Sequence, residues 1–577
     1  MANFYRDNAD ILFHMKHMDL SRIIDLKEDG FAEKDAYPYA PQDEADARDN
    51  YDRVLEIVGE IAGEIAAPRA REVDEEGATF ADGVVTYPKG IREAVARINQ
   101  ADLAGFTMPR RYGGINMPMT IFSSAIEIVS RADASLMLVF GLQGLSDTIC
   151  KFGSEDQKER FLPRFATGEI VGSMALTEPD SGSDLQSAML KASQDENGVW
   201  RLNGVKRFIT NGCGDISLVM ARSEEGTTSG RGLSLFIYER DENMKVRRIE
   251  HKLGITGSPT CELQFTNARA ELLGKRKLGL IKYTIYLMNG ARLAVAAQSV
   301  GIAEAAYREA YAYANERVQF KKPIRDFAVV AEMLTEMKVA IEAARCLVYE
   351  TSRIVDIKEG IEDRIEKHPE RSADLKDDLK RYTRFASLFT PLAKGFSAEM
   401  ANKVCYDAIQ VHGGVGFTKE FDVERHYRDA RITNIYEGTT QLQVVAALGG
   451  VIGGVVSERL NEYEEDSDFS VIPELFQPVQ KMRTQLEMAI SHIKEKGDAA
   501  YQEFHATRLV MMTADVVNSY LLCRNALLSE RKKTVAKLYI SKALHRVKSS
   551  LDYILADDYS FLELHKAVID AEEVIES

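Results

Sequence analysis

The chain has 577 residues, 45% of them apolar and 28% charged, and carries a net charge of -16. This is more than one ordinary core can hold, and the length points to about three to four structural units with room for an internal pocket. The composition excludes long disorder, and the acidic balance disfavours phosphate backbones, so nucleic acid is not expected as a ligand.

Residues 1–45 read as an N-terminal extension. Its opening, MANFYRDNADILFHMKHMDL, mixes both charge signs into its apolar positions and has no signal-peptide core. Residues 46–170 read as a helical domain, in which Val54, Ile57, Ile61 and Ile65 recur at helical spacing. Between 171 and 282 the period changes to that of strands. There VWRLNGVKRFITNG places Asn203-Gly204 between two apolar runs, which predicts a hairpin, and LSLFIY, MKVRRIEH and TCELQFTN continue the pattern of a middle β domain.

From 283 to 455 the helical period returns, with Leu293, Ala296, Val300, Ala303 and Tyr307 stepping by three or four, and a helical bundle is expected. The charged run from Lys358 to Lys380 reads as a solvated connection or as the exposed tips of two helices. GGVIGG, from Gly449, follows a helix and lacks a lysine, so close packing or a helix end suits it better than a phosphate loop. After Gly454 the run ERLNEYEEDSD reads as an acidic linker into a C-terminal helical extension, residues 456–577. The basic residues Arg531, Lys532, Lys533, Lys537, Lys542, Arg546 and Lys548 in that extension could meet an anionic membrane. Acidic groups at Asp552, Asp557, Asp558 and Glu563 follow closely, so packing on the core or on a second subunit is the preferred reading.

The six cysteines, Cys150, Cys213, Cys261, Cys346, Cys405 and Cys523, form no C-x-x-C or Cys/His cluster, so no metal site and reduced thiols are expected. The most apolar stretch, Val444 to Val456, is shorter than the roughly 20 residues that span a bilayer. A cytoplasmic location is the expectation. The fold class expected is mainly α with an inserted β domain.

Four strings occur in order on these segments: SMALTEPDSGSD, RFITNG, ERVQFKKPI and QVHGGVGFTKEFDVERHYRDARITNIYEGTTQLQ. Together they resemble the acyl-CoA dehydrogenase family, whose order is N-terminal helical domain, middle β-barrel and C-terminal helical bundle. The long tail and the charged insertion are similar to the larger subgroup that includes methylmercaptopropionyl-CoA dehydrogenases. The resemblance implies FAD, held without a dinucleotide fingerprint, for no G-x-G-x-x-G follows a strand here.

Carried over residue by residue, the resemblance places Met174, Ala175, Leu176 and Thr177 in a loop over the flavin ring, with Ser183 near the thioester end of the substrate. Phe208, Ile209 and Thr210 match a motif that usually begins with tryptophan; phenylalanine keeps the apolar face but loses the indole donor, and Phe208 could equally be core. Arg317, Gln319 and Phe320, with Gln410, Val411, His412, Gly413 and Gly414, would approach the diphosphate and adenosine of an FAD bound mainly by a neighbouring subunit. A homo-oligomer, a dimer rather than a tetramer, follows from that. Ala328 stands where a glutamine contact to the cofactor is common.

Dehydrogenating an acyl thioester needs a base for a weakly acidic α-proton and a hydride acceptor for the β-hydrogen, the latter supplied by flavin N5 in the family. Glu437 of NIYEGTTQLQ matches the family's base, although a plain helix cap would also place a carboxylate there. Gly438 would lie against the substrate, and Thr439 and Gln441 against the cofactor. The alternative position for the base, just before Arg292, is Ala291, which accepts no proton. Arg292 keeps a possible substrate role, with Asn289 where an aspartate is common.

The function expected is therefore FAD-dependent conversion of an acyl-CoA to its 2-enoyl-CoA, with electrons passed to an electron-transfer flavoprotein. The rivals are an acyl-CoA oxidase on the same scaffold and a non-catalytic, nucleic-acid-associated member of the fold, the latter opposed by the acidic balance.

Overall fold

The computed structural model describes residues 2–570. The N-terminal extension carries two helices, α1 (Ala9–His17) and α2 (Ser21–Lys27), and α1 starts where the Asn8 side chain accepts from the Asp10 and Ile11 amides. Neither helix stands apart: Gly360 lets Leu26 of α2 approach so closely that a Cβ there would sit 2.7 Å from it.

The helical domain follows as α3 (Glu44–Glu60), α4 (Ala70–Glu76), α5 (Lys89–Gln100), α6 (Met119–Ala132), α7 (Ala134–Phe140), α8 (Gly144–Phe152) and α9 (Glu155–Ala166), with a small hairpin of β1 (Thr79–Ala81) and β2 (Val84–Thr86). The stripe expected on its first helix is displaced. Tyr51, Leu55, Val58 and Ala62 are buried, whereas Ile57 is exposed, and only Ile61 of the expected four is fully covered. The cause is twofold: residues Ile61–Ala66 form a π-helical turn that breaks the 3.6 period, and residues 2–5 lie on the face of Gly59 and Gly63.

The middle domain is a closed barrel. Strands β3 (Gly172–Ala175), β4 (Lys191–Gln194), β5 (Trp200–Thr210), β6 (Ile216–Arg222), β7 (Leu233–Glu239), β8 (Met244–Ile249) and β9 (Thr260–Leu272) pair in the order β3-β6-β4-β5-β9-β7, with β8 on β9 and β6–β7 closing the ring. The hairpin expected at Asn203-Gly204 is absent. β5 runs straight through as one strand with a register shift between Leu202 and Gly204, and Gly204, at φ 144°, lets Leu190 come within 3.0–3.2 Å of where a Cβ would be. The Asn203 side chain accepts from the Asn267 amide at 2.8 Å, so Asn-Gly here makes a bulge rather than a turn.

Three long helices build the bundle: α10 (Ile285–Glu316), α11 (Ala328–Lys367) and α12 (Ser372–His412), with a short hairpin of β10 (Val318–Gln319) and β11 (Lys322–Pro323) after the first. The charged run from Lys358 to Lys380 is the tips of α11 and α12 joined at Pro369–Arg371, but its first residues are helix facing inward. α13 (Val423–Ala430) and α14 (Thr440–Ile452) complete the bundle. The run read as an acidic linker is instead helix α15 (Val455–Glu465), held inward by buried Val456, Leu460 and Tyr463. GGVIGG is the end of α14, where Gly450 packs on Leu388 and Gly454 turns at φ 80°.

The extension continues as α16 (Pro473–Lys496), α17 (Ala499–Ala526), α18 (Glu530–Leu555) and α19 (Ser560–Ile569). Its basic run is spent on partners within the protein: Arg546 on Asp515, Lys542 on Glu332, Arg531 and Lys532 on Glu342. No single described helix is long and apolar enough to cross a membrane.

One buried cluster ties these parts together. Arg345 of α11, fully buried, donates to Glu127 of α6 at 2.8 Å and 2.6 Å, to Glu304 of α10 at 3.1 Å, and to Asp10 of α1. Lys532 of α18 donates to the same Asp10 and, at 2.8 Å, to Glu342 of α11. Extension, helical domain, bundle and tail thus share one charge network.

Candidate functional site

The helical domain, barrel and bundle meet at a chamber of about 100 Å³. Met137, Leu138, Gly141 and Leu142 of α7 and the following turn form one wall. Met174, Thr177, Phe208, Ile209 and Thr210 come from the barrel, Ala291, Ala294 and Val295 from α10, and Tyr436 and Glu437 from the turn before α14. Of the residues singled out by sequence, the structure thus brings Met174, Thr177, Phe208, Ile209, Thr210 and Glu437 together.

Glu437 is not the cap of α14. Thr439 is the N-cap, its side chain accepting from the Leu442 amide, so the Glu437 carboxylate is left to the chamber. The turn is unusual: Glu437 sits at φ 54° and Gly438 at φ 89°, two successive left-handed residues, of which only the glycine adopts that conformation without strain. Side chains hold it. Lys394 of α12, fully buried, donates to the Gly438 carbonyl at 2.7 Å, and buried Gln443 donates to the carbonyls of Glu437 at 3.1 Å and Gly438 at 2.9 Å. Below the turn, Tyr436 donates to Gln298, which in turn donates to the Ala134 carbonyl at 3.2 Å.

The backbone N–H groups of Glu437, Gly438 and Thr439 donate to nothing among the described residues. Burial pushes the Glu437 carboxyl up from its ordinary value, while the positive charges of Arg292 and Lys394 pull it back down. Burial likewise pushes the Lys394 ammonium down to about 8. Arg292 donates to Asn289 at 3.1 Å, and its buried Nε has no partner.

The barrel side is held by an ion pair the sequence reading missed. Lys206, fully buried, donates to the Leu176 carbonyl at 2.7 Å and to Glu178 at 2.8 Å, and Glu178 accepts from the Met189 and Leu190 amides. The loop from Met174 to Glu178 is thereby fixed on β5. Ala175 and Leu176 point into the core, so only their backbone can meet a ligand, and Ser183 is exposed outside the chamber lining. Phe208 is not core: at φ 60° beside a register shift in β5 it is turned out of the sheet, half exposed, with Arg207 over its ring.

A second group lies apart from the chamber, at the far ends of α10 and α12. Tyr313 and His412 stack at 4.4 Å there, beside the exposed Arg317, Gln319 and Phe320 of the β10–β11 hairpin. Gly413 and Gly414 present bare backbone with nothing within 4 Å of a would-be Cβ, and the buried His412 Nε2 has no partner. Val411 is buried and Gln410 is exposed. Thr439 is spent on its cap, and Gln441 is exposed.

These features fit FAD. In the chamber the Thr177 and Thr210 hydroxyls make no hydrogen bond among the described residues, which suits a flat aromatic group with polar edges. At the second group, the exposed Arg317 fork and a glycine backbone open to close approach suit a diphosphate.

Lys394, Gln443 and Gln298 were also missed. The one available signal was Lys394, a single lysine in the apolar helical run FTPLAKGF. In the same way Lys358 and Glu359, read as part of a solvated segment, line a second chamber that adjoins the first.

Comparison with known proteins gives four family models along the chain. The acyl-CoA dehydrogenase N-terminal domain matches residues 48–169, the middle domain 173–268, the C-terminal domain 281–447, and a further model, acyl-CoA dehydrogenase C terminal, 453–559. The chain is 34% identical to the 3-methylmercaptopropionyl-CoA dehydrogenase of Ruegeria pomeroyi, covering 71% of this chain and 72% of the relative. Among solved structures, an acyl-CoA dehydrogenase complexed with FAD from Bacillus anthracis is 25% identical with a TM-score of 0.73, covering 90% of each chain. A chain in a structure reported as the electron transferring flavoprotein of Acidaminococcus fermentans is 31% identical with a TM-score of 0.60, covering 70% of this chain and 97% of that one.

Proposed function

The chain belongs to the acyl-CoA dehydrogenase family, FAD-dependent oxidoreductases acting on acyl-CoA thioesters, and we propose that Glu437 is its α-proton base. The reaction is conversion of an acyl-CoA to the 2-enoyl-CoA. What carries the assignment is Glu437 itself, among the described residues the one carboxylate lining the chamber where three domains meet, held on a strained turn with its cap role taken by Thr439.

Bound FAD supplies the acceptor for the β-hydrogen as hydride. The chain's own residues do the rest. Thr177, Thr210, the face of Phe208 and the backbone of Met174–Thr177 orient the ring end of the cofactor. The unbonded amide of Glu437 is free to donate to the thioester oxygen as charge develops on it, which acidifies the α-proton. Entry of an acyl chain displaces water from Glu437, and loss of solvation strengthens it as a base. Lys394 and Gln443 fix the carbonyls on either side of the bend, so the carboxylate cannot swing away. Arg292 and Lys394 offset part of the upward shift that burial imposes on it.

Arg317, Gln319, Phe320 and the backbone from Gln410 to Gly414 would hold the diphosphate and adenosine of an FAD lodged in a second copy of the chain, making the active unit a dimer. Phe320 and Phe417, 88% and 87% exposed beside those glycines, are apolar surface that such a copy would cover. Electrons would then leave to an electron-transfer flavoprotein, an acceptor supported by the likeness to the chain from the Acidaminococcus structure.

Anaerobic titration of flavin-loaded protein with straight-chain, branched, thioether, aromatic and dicarboxylic acyl-CoAs tests the reading. Bleaching of the flavin absorption by at least one class is expected. A fully loaded sample that bleaches with none would refute dehydrogenation, and fast reoxidation of the bleached protein by air would assign it as an oxidase instead.

A further inference from the structure

The catalytic chamber adjoins a second of about 190 Å³, the two sharing Gly141, Leu142, Met174, Ala291 and Ala294 as common wall. It lies among α6, α8, α10, α11 and α12. Its near part is apolar, with Phe122, Leu145, Leu287 and Val355, as an acyl chain requires. Its far part is not. Asp147, Lys358, Glu359 and Tyr286 line it, and Glu359 makes no hydrogen bond or ion pair among the described residues. Among the described residues Asp147 accepts only from the Thr107 hydroxyl, at 2.9 Å. The nearby cations are engaged elsewhere: Lys358 on Glu362 at 3.3 Å, and Lys151 on Asp363 at 2.6 Å.

Resting on the dehydrogenase reading above, we propose that this chamber receives the far end of the acyl chain, and that Glu359 and Asp147 select acyl groups ending in a hydroxyl or ammonium over those ending in a methyl or carboxylate. A half-buried carboxyl facing a largely apolar chamber loses its remaining water when an acyl chain enters, and a terminal hydroxyl or ammonium supplies the donor that replaces it. A terminal carboxylate would meet Asp147, Glu359, Glu362 and Asp363, all of which act on Tyr286 at the chamber's end. Burial raises Glu359 to about 7 and Asp147 to about 6, and Lys358 beside the first and Thr107 and Lys27 beside the second offset only part of the rise.

The same acidic rim decides which arm of the thioester enters. The coenzyme arm ends in a phosphorylated nucleotide, which these carboxylates repel.

The test compares ω-hydroxyacyl, ω-aminoacyl, methyl-ended and ω-carboxyacyl CoA thioesters of matched length, with a short acyl-CoA as control, on wild type and Glu359→Leu. In wild type, kcat/KM is expected to favour the hydroxyl and ammonium ends by about tenfold or more, the worth of one well-made buried hydrogen bond to a charged group. In Glu359→Leu that preference should collapse, largely through KM, while the short control is unchanged. If Glu359→Leu fails to load flavin or to fold, Glu359→Gln replaces it and should lose the ammonium preference while keeping the hydroxyl one. Equal handling of all four ends by wild type would overturn the proposal, and so would an equal KM rise for every substrate including the short one, which would place the coenzyme arm in this chamber. Absence of flavin bleaching with any thioester would instead remove the dehydrogenase reading, and this inference with it.

Discussion

Two regions bury polar groups in opposite conditions. At Arg345 every charge is matched: the guanidinium serves Glu127, Glu304 and Asp10, and Asp10 and Glu342 are each served again by Lys532. In the cleft, by contrast, the Thr177 and Thr210 hydroxyls, the Glu437 amide and the Glu359 carboxyl have no protein partner among the described residues. Satisfied groups fix four segments of the chain against one another, while unsatisfied ones are what a ligand can complete. The first arrangement serves architecture and the second serves binding and chemistry.

The sharpest break between them is Glu437→Gln. The amide keeps the shape of the turn but accepts no α-proton, so kcat should fall by about 10²–10⁴-fold, the usual worth of a positioned base, with flavin content and melting temperature unchanged. Retention of near-normal turnover would mean that the base lies elsewhere.

Arg345→Met should do the reverse. Leaving Glu127, Glu304 and Asp10 buried without their cation should cost about 3–5 kcal/mol of stability, read by chemical denaturation, while the molecules that remain folded turn over at close to the normal rate. The pH dependence carries the same contrast. Burial opposes ionisation of Asp10 and Glu304, but the cations around them prevail and hold both carboxyls far below their ordinary range, so their contribution is present above that range and lost as pH falls through the depressed values. Glu127 is shifted upward by burial and offsets part of this. Glu437, also raised, has the opposite sign from Asp10 and Glu304: it favours the folded state at low pH and costs stability as it ionises.

A smaller effect tests how the cleft is tuned. Lys394→Met removes one of two cations that counter the upward shift of Glu437, so the acid limb of the kcat/KM profile should move to higher pH, and plateau kcat should drop modestly as the turn loosens. An unmoved limb accompanied only by lower stability would make Lys394 purely structural.

Much of this was legible because local strings carry local demands. Thr177, Thr210 and Glu437 lie in short strings that resemble those of a known family, Gly438 sits where the turn needs a left-handed residue, and the strand and helix periods separated barrel from bundle. What was not legible depends on partners far away in sequence. Lys394, Gln298 and Glu359 acquire meaning only when α10, α11 and α12 pack side by side. Asn203-Gly204 carries the chemistry of a hairpin, but close contact with Leu190 made it a bulge. The basic tail carried the composition of a membrane face until Glu342, Glu332 and Asp515 claimed its charges.

The span of the Arg345 cluster also sets a timetable for synthesis. Asp10 and Lys532 are 522 residues apart, roughly half a minute to two minutes of ribosomal elongation at about 5–20 residues per second. For the first 335 residues of that interval Asp10 has neither cation, and once Arg345 is made, Glu342 still waits for its lysine, 190 residues further along the chain, with the α1 carboxylate only half matched. A chain truncated between α11 and α18 keeps that mismatch permanently, so closing the network falls to one of the last helices to be made.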